Sequence, residues 1–305
     1  MLHSSKAARK PNKKNLNEWM WGWFFIAPTM IGLLILNIIP IFQTLYLSLF
    51  QSGDFGRGDI FVGFDNYIRM FNDPQVWHAV RNTLVYTLLV IPISIAISLV
   101  IAVLLNEKIR GRTIYRTIFF LPMVAAPAAV TMVWRWMYNN QFGFFNYLLR
   151  SVGLESVDWI NSPNVALISI AIIGIWSIIG YNVVLMLAGL QEIPKDYYEA
   201  SMIDGASSIY QLFKITIPLL SPTLFFITVT TIIQSMQVFD FIYMMVDVTS
   251  PAYNSTVSLV YLFYNNSFRY SNRGYGSAIV MLLLVIIMII TVFQMKAQKK
   301  WVNYK

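Results

Sequence analysis

The chain has no cysteine among its 305 residues, which excludes disulfides and thiolate metal sites alike. Histidine is nearly absent: His3 and His78 are too few and too separated to form a metal cluster. Charged residues make up 12% of the sequence, about half of the roughly 25% that a soluble domain carries. There is no G-x-x-x-x-G-K-[ST] phosphate loop, so the chain cannot hydrolyse ATP by that route. H-E-x-x-H, G-x-S-x-G and any plausible catalytic triad are missing too, and the chain does not read as an enzyme by itself. It also lacks an internal repeat of the length that builds solenoids.

What is abundant is apolar. Hydrophobic residues reach 57%, and they fall into six runs of about the 20 residues needed to cross a bilayer. The fold class is an all-α integral membrane protein with six transmembrane helices. The spans are predicted at Phe24–Leu47, Leu84–Leu105, Ile118–Met137, Val165–Leu190, Leu219–Met245 and Tyr275–Phe293. Residues 1–18 are a basic tail without the short apolar core and cleavage site of a signal peptide. Trp19, Trp21 and Trp23 follow as an interfacial belt. Pro28, Asn37 and Pro40 lie inside the first span, and Pro122 and Pro127 in the first half of the third. Neighbouring helices can satisfy the backbone groups these residues free.

The net charge of +8 raises the question of nucleic acid. Its distribution answers it. Six spans put both ends and the segment between the fourth and fifth spans on one side, which carries fifteen of the 22 lysines and arginines. The positive-inside rule makes that side cytoplasmic, and the basic excess reads as topology and lipid headgroup contact, not nucleic-acid binding. The expected organisation is a basic cytoplasmic tail over 1–18, a membrane domain over 19–295 and a basic cytoplasmic tail over 296–305.

The polar segment 193–218, IPKDYYEASMIDGASSIYQLFKITIP, is the most informative stretch. Pro194 suits a first helical turn and Gly205 the left-handed residue after a helix end, predicting a short helix over Pro194–Asp204. Ser208 and Gln211 spell a capping box for a second, amphipathic helix, and Pro218 marks the start of the next span. Two short helices joined at a glycine make a knob. On physics alone it serves equally as a docking element or as a tidy loop.

The order of residues goes further. Glu199-Ala200-Ser201, then Asp204-Gly205-Ala206, then Ile217-Pro218 resembles the E-A-A loop of the permease subunits of binding-protein-dependent ABC importers. Glu199 precedes Gly205 by six residues and Gly205 precedes Pro218 by thirteen, as in that family. Ser201 replaces the second alanine and Ile217 a leucine. GFDNY at 63–67, YRTIFFLP at 115–122 and DWINSPNVAL at 158–167 are similar to its carbohydrate-type members, such as the maltose and glycerol-phosphate importer permeases.

The resemblance implies a type I ABC importer permease fold and a multi-pass protein of a prokaryotic plasma membrane. It implies four kinds of partner: a second homologous permease, two ATPase subunits that bind ATP and Mg, an extracytoplasmic solute-binding protein, and a sugar or oligosaccharide. No cofactor is implied in this chain. The ATPase-docking set would be Glu199, Ala200, Ser201, Asp204, Gly205, Ala206, Ile209, Leu212 and Phe213. Glu199 would pair with a cation on the ATPase, and the apolar face of Ile209, Leu212 and Phe213 would supply most of the area. The solute-binding protein would meet the loops Gly53–Val80 and Val246–Gly274.

The substrate path should lie where polar groups interrupt the later spans: Trp176, Ser177, Tyr181 and Asn182 in the fourth, and Gln234, Ser235, Gln237 and Asp240 in the fifth. Aromatic faces and planar amides suit a pyranose, though the same set could hold a phosphate ester or a polar amine. A carboxylate within a span costs about 2.5 to 3.5 kcal/mol at mid-bilayer, so Asp240 marks a pocket, a buried pair, or a wet outer end. Trp176 and Tyr181 read equally as packing residues. Arg135, between Trp134 and Trp136, reads as snorkelling at the outer interface. Two other classes remain open: an ion-coupled secondary transporter, for which only Asp240 qualifies as a coupling carboxylate, and a membrane scaffold for a soluble enzyme.

Overall fold

A computed structural model of the chain describes residues 13–51, 60–107 and 110–302. The basic residues of 1–12, the loop glycines 53, 56 and 58, Lys108 and Lys305 lie outside them.

The first span is longer than predicted. Helix α1 (Lys13–Leu33), a π-helical turn (Leu34–Ile38) and α2 (Ile39–Ser48) run on as one rod. The π turn has a cause: the ring of Pro40 would clash with the carbonyl four residues back, and a wide turn there makes room. No residue from Glu18 to Leu47 is buried.

A two-stranded hairpin follows, β1 (Phe50–Gln51) antiparallel to β2 (Ile60–Phe61), with Phe50 opposite Phe61. Helix α3 (Asp65–Asn72) then shows what GFDNY does. Buried Asn66 donates from Nδ2 to the carbonyls of Ser48 and Phe50, 2.9 Å each, and Tyr67 Oη lies 2.6 Å from Ser48 Oγ. The motif clasps the end of the first span. Its neighbours reach the last span: Tyr275 Oη donates to Asp73 at 2.6 Å, and Arg69 sits 4.3 Å over the Tyr275 ring. Gly274 is needed because a Cβ there would run into the Phe50 carbonyl.

Helix α4 (Pro74–Asn106) carries the second span, starting ten residues before the predicted Leu84, with Asp73 capping its first turn. Ser94, Ser98 and Ala102 form a buried small-residue stripe, the type of surface that lets membrane helices approach closely. The predicted third span is a correction: it is two helices, α5 (Arg112–Val124) and α6 (Pro127–Met137), meeting at 99°. Ala125 and Ala126 are extended there, as expected of the residue before Pro127, and no N–H from Pro127 could carry the helix on.

Helix α7 (Phe144–Ser151) lies in the next loop, where buried Asn146 bonds Val157 and the Trp159 indole. Helix α8 (Ala166–Gln191) matches the predicted fourth span within a residue. It packs closely against α4 and α5, since a Cβ on Gly174 or Gly180 would meet Tyr86 Oη or the Phe119 carbonyl.

After the short α9 (Asp196–Ile203), helix α10 (Ser208–Gln211) leads through a second π turn, Leu212–Thr216, into α11 (Ile217–Met236). The fifth span reaches the predicted Met245, with its helix interrupted at Gln237–Phe239 and resumed as α12 (Asp240–Met245). Two short helices, α13 (Tyr253–Thr256) and α14 (Leu259–Tyr264), close that end of the bundle. Asn82 and Thr83 of α4 pin them: Asn82 donates to the Asn254 and Val257 carbonyls, and Thr83 accepts from Leu259 N–H. Helix α15 (Arg273–Trp301) forms the last span and extends past the predicted Phe293.

Candidate functional site

Two places stand out, one before the start of α11 and one at its far end, midway along α8. The first is the segment between α8 and α11. Its helix α9 starts two residues after Pro194, which lies outside the helix, while Ile193 is buried in the core below. It ends in a Schellman turn: Gly205 sits at φ +75°, its N–H bonds Met202, and Ala206 N–H bonds Ser201. The capping box is a correction. Ser207, not Ser208, caps α10 by accepting from Tyr210 N–H, and Gln211 donates to Ser201 Oγ at 2.8 Å. With Tyr198 Oη 3.0 Å from Thr216 Oγ1, this clasps α9 to the base of the following helix. There is no separate second helix either, because the π turn before Pro218 absorbs the proline and lets α10 run into α11.

The knob is outward-facing. Glu199, Ala200, Asp204 and Gly205 are exposed, Ser201 and Ala206 half-buried. Ile209 is 72% and Phe213 61% exposed, but Leu212 turns half inward. Ile203, at 88%, is the most exposed large apolar residue of the knob, and Met202 and Tyr210 are exposed as well. Helical spacing counted from Ser208 could not find Ile203 or Met202, which lie on the other arm.

The second place is a cavity of about 410 Å³ where both broken spans meet. The α5–α6 bend contributes Met123, Ala125 and Pro127; the break after α11 contributes Gln237, Val238 and Phe239. Irregular backbone at membrane depth is tolerated where it lines such a space, and the Val238 carbonyl freed by the break accepts from buried Ser258 Oγ at 2.7 Å. Of the residues predicted for a substrate path, Ser177, Tyr181, Gln234, Ser235, Gln237 and Asp240 line this cavity together. Ser235 Oγ is buried without a protein partner. Asp240 is exposed, in the first turn of α12.

Two do not join them. Asn182 is fully buried between α8 and α11, its Oδ1 3.5 Å from Thr231 Oγ1. Trp176 packs edge-on to Trp134, ring centroids 5.8 Å apart. One helical step past Tyr181 or one before Ser177 turns a side chain off the cavity, and spacing in the sequence does not say which side of α8 faces it. The lining that the sequence did not signal is Tyr86, Phe239 and Phe241. Arg135 is exposed beside a larger cavity at the same end.

Residues 82–303, which contain both places, match the family described as the binding-protein-dependent transport system inner membrane component. The chain belongs to that family. Its permease character extends to the curated relatives. It is 34% identical over 98% of its length to the probable ABC transporter permease protein YesP of Bacillus subtilis, covering 96% of that protein. It is 32% identical to the trehalose/maltose transport system permease protein MalF of Thermococcus litoralis, covering 93% of this chain and 96% of that one. In fold, the permease is similar to a chain of a bacterial alginate ABC transporter, solved in complex with an alginate pentasaccharide-bound periplasmic protein. The TM-score is 0.82 at 21% identity, covering 94% of this chain and 96% of that chain.

Proposed function

We propose that this permease is one of two membrane subunits of an ATP-driven importer for a sugar or oligosaccharide in a prokaryotic plasma membrane. The observation that carries this is the cavity between two broken spans, with amides, hydroxyls, one carboxylate and aromatic rings on its walls. An amide or carboxylate can bond adjacent hydroxyls while a ring covers a C–H face. Lys, Arg and His are absent from that lining, which counts against an anionic solute such as a phosphate ester. The names of relatives such as the trehalose/maltose permease support the same reading. Both ends and the knob are cytoplasmic by the distribution of Lys and Arg.

The knob docks in a cleft of a separate ATPase subunit, through Glu199 and the apolar residues Ile203, Ile209 and Phe213, and it is the link by which ATP hydrolysis reaches the spans. Most of the docking energy comes from the apolar residues, because an exposed ion pair contributes about 1 kcal/mol or less. A solute-binding protein delivers the ligand at the other end. Asp240, exposed at the cavity mouth, serves the solute; coupling to an ion does not require it.

The test separates the two places. Tyr181→Phe and Gln237→Ala each remove one hydrogen-bonding group, worth about 0.5–1.5 kcal/mol, or up to about tenfold in half-saturating solute concentration, with basal ATPase activity of the complex retained. Loss of basal ATPase activity in these variants, or unchanged solute dependence, would count against the cavity as the path.

A further inference from the structure

The smaller cavity has a larger neighbour. A space of about 990 Å³ opens at the same end, bounded by α6, α14 and the loops around residues 139–141, 158–161 and 243–250. A strip of aromatic rings joins the two. Phe239, on the wall of the smaller cavity, stacks on Tyr243 with centroids 5.1 Å apart and planes at 21°. Tyr243 meets Tyr264 at 5.0 Å, and Tyr264 meets Phe268 at 5.4 Å. These last three rings line the larger space.

The polar groups around it are of a particular kind. Arg135 and Arg269 face into the same space as Asp158 and Asp247, so the formal charges cancel. Both carboxylates are held in place: Asp158 accepts from the Asn161 N–H, and Asp247 from the Thr249 N–H and Oγ1. Fixed carboxylates and guanidinium groups present paired sites for adjacent hydroxyls, the rings present faces for C–H surfaces, and a zero sum gives no preference to a uronate or a phosphate. At about 990 Å³ the space lies near the top of the small-ligand range of about 300–1,000 Å³, and the inner one near its bottom.

We infer that the larger cavity is a second saccharide subsite, which holds the trailing rings of a neutral oligosaccharide whose leading ring occupies the smaller cavity. Tyr243, Tyr264 and Phe268 form the strip along which the chain passes inward. This rests on the reading that the permease conducts a saccharide.

The experiment is uptake by cells in which the chromosomal copy is deleted and then restored as wild type, Tyr264→Ala, Tyr264→Phe or Phe268→Ala. The probes are labelled malto-, galacto- and xylo-oligosaccharides from disaccharide to pentasaccharide, oligogalacturonates and glycerol 3-phosphate. Phe268 is 63% exposed, so its truncation leaves no buried void, and an immunoblot of the membranes checks abundance. Uptake that depends on this chain should fall in a neutral series. Both alanine variants should raise the half-saturating concentration by a factor that grows with chain length, to about tenfold for the longest members, and Tyr264→Phe should keep wild-type values. A shift equal at all lengths, or none, overturns the second subsite while leaving the saccharide reading intact. Dependence confined to oligogalacturonates or glycerol 3-phosphate overturns it through the charge argument. If no saccharide depends on the chain, the saccharide reading falls and the subsite with it.

Discussion

Asp247 shows how one side chain fixes a loop. It accepts from Thr249 N–H at 2.9 Å and Thr249 Oγ1 at 2.8 Å, and these bonds hold its carboxyl below the usual carboxylate range, with Arg269 adding a smaller pull. The sign follows from linkage. A lowered folded-state value stabilises the turn at every pH above the ordinary Asp value of about 3.9, and the contribution disappears as pH falls through the lowered one. Hydrogen exchange of a peptide spanning 246–252 should therefore show Thr249 still protected under mildly acidic conditions and unprotected in Asp247→Ala at all pH values. Protection lost at mildly acidic pH in the wild type would contradict this. At the same scale, Gly205 was legible from its place after a polar helix, since its φ of +75° is one that a β-branched residue strongly disfavours. Gly174 and Gly180 were not, because nothing along α8 says that Tyr86 and Phe119 approach from other helices.

Among the elements, the clasp at the end of the first span invites a direct test. Buried Asn66 bonds two carbonyls, so Asn66→Ala should cost about 1–3 kcal/mol and loosen the β1–β2 hairpin. Limited proteolysis of the detergent-solubilised protein should cut that hairpin sooner in the variant, with the later spans unchanged; identical cleavage would show the clasp to be dispensable. Apolar run length located five helices long enough to cross a bilayer and, as the third, a bent pair of shorter ones, because about 20 apolar residues have one stable place. It did not locate the breaks. Pro127 was read as tolerated inside a continuous span, whereas with two extended alanines before it the chain turns by 99°. The break at Gln237–Phe239 has neither Pro nor Gly and depends on a tertiary partner, Ser258, twenty residues away. The π turns before Pro40 and Pro218 were hidden as well: a proline accepted inside a span, or read as the start of one, does not announce the widened turn that lets the helix continue. The candidate site followed the same division. The polar types were visible in the chain, and six of eight face one cavity, whereas its further aromatic residues Tyr86, Phe239 and Phe241 came from α4, the break and α12.

As a whole molecule, the permease presents a rod that the described residues leave largely uncovered, meeting α15 only along its α2 part. The apolar helix from Trp19 to Tyr46 is exposed along its length, so its surface is left for lipid or a second membrane subunit. The knob projects before the start of α11, the smaller cavity lies midway along α8 at the far end of α11, and the larger one lies beyond it. The proposed function makes α8 and α11, which connect the knob to the cavity, the elements that carry movement from a nucleotide-driven partner to a solute path. The most direct measurement is the subunit composition of the complex purified in mild detergent through a tag on this chain, compared with the Glu199→Ala, Gly205→Val double variant. The account predicts a second permease and two ATPase copies with the wild type, and loss of the ATPase alone from the variant. Recovery of the chain by itself, or as a homo-oligomer, from both would contradict it.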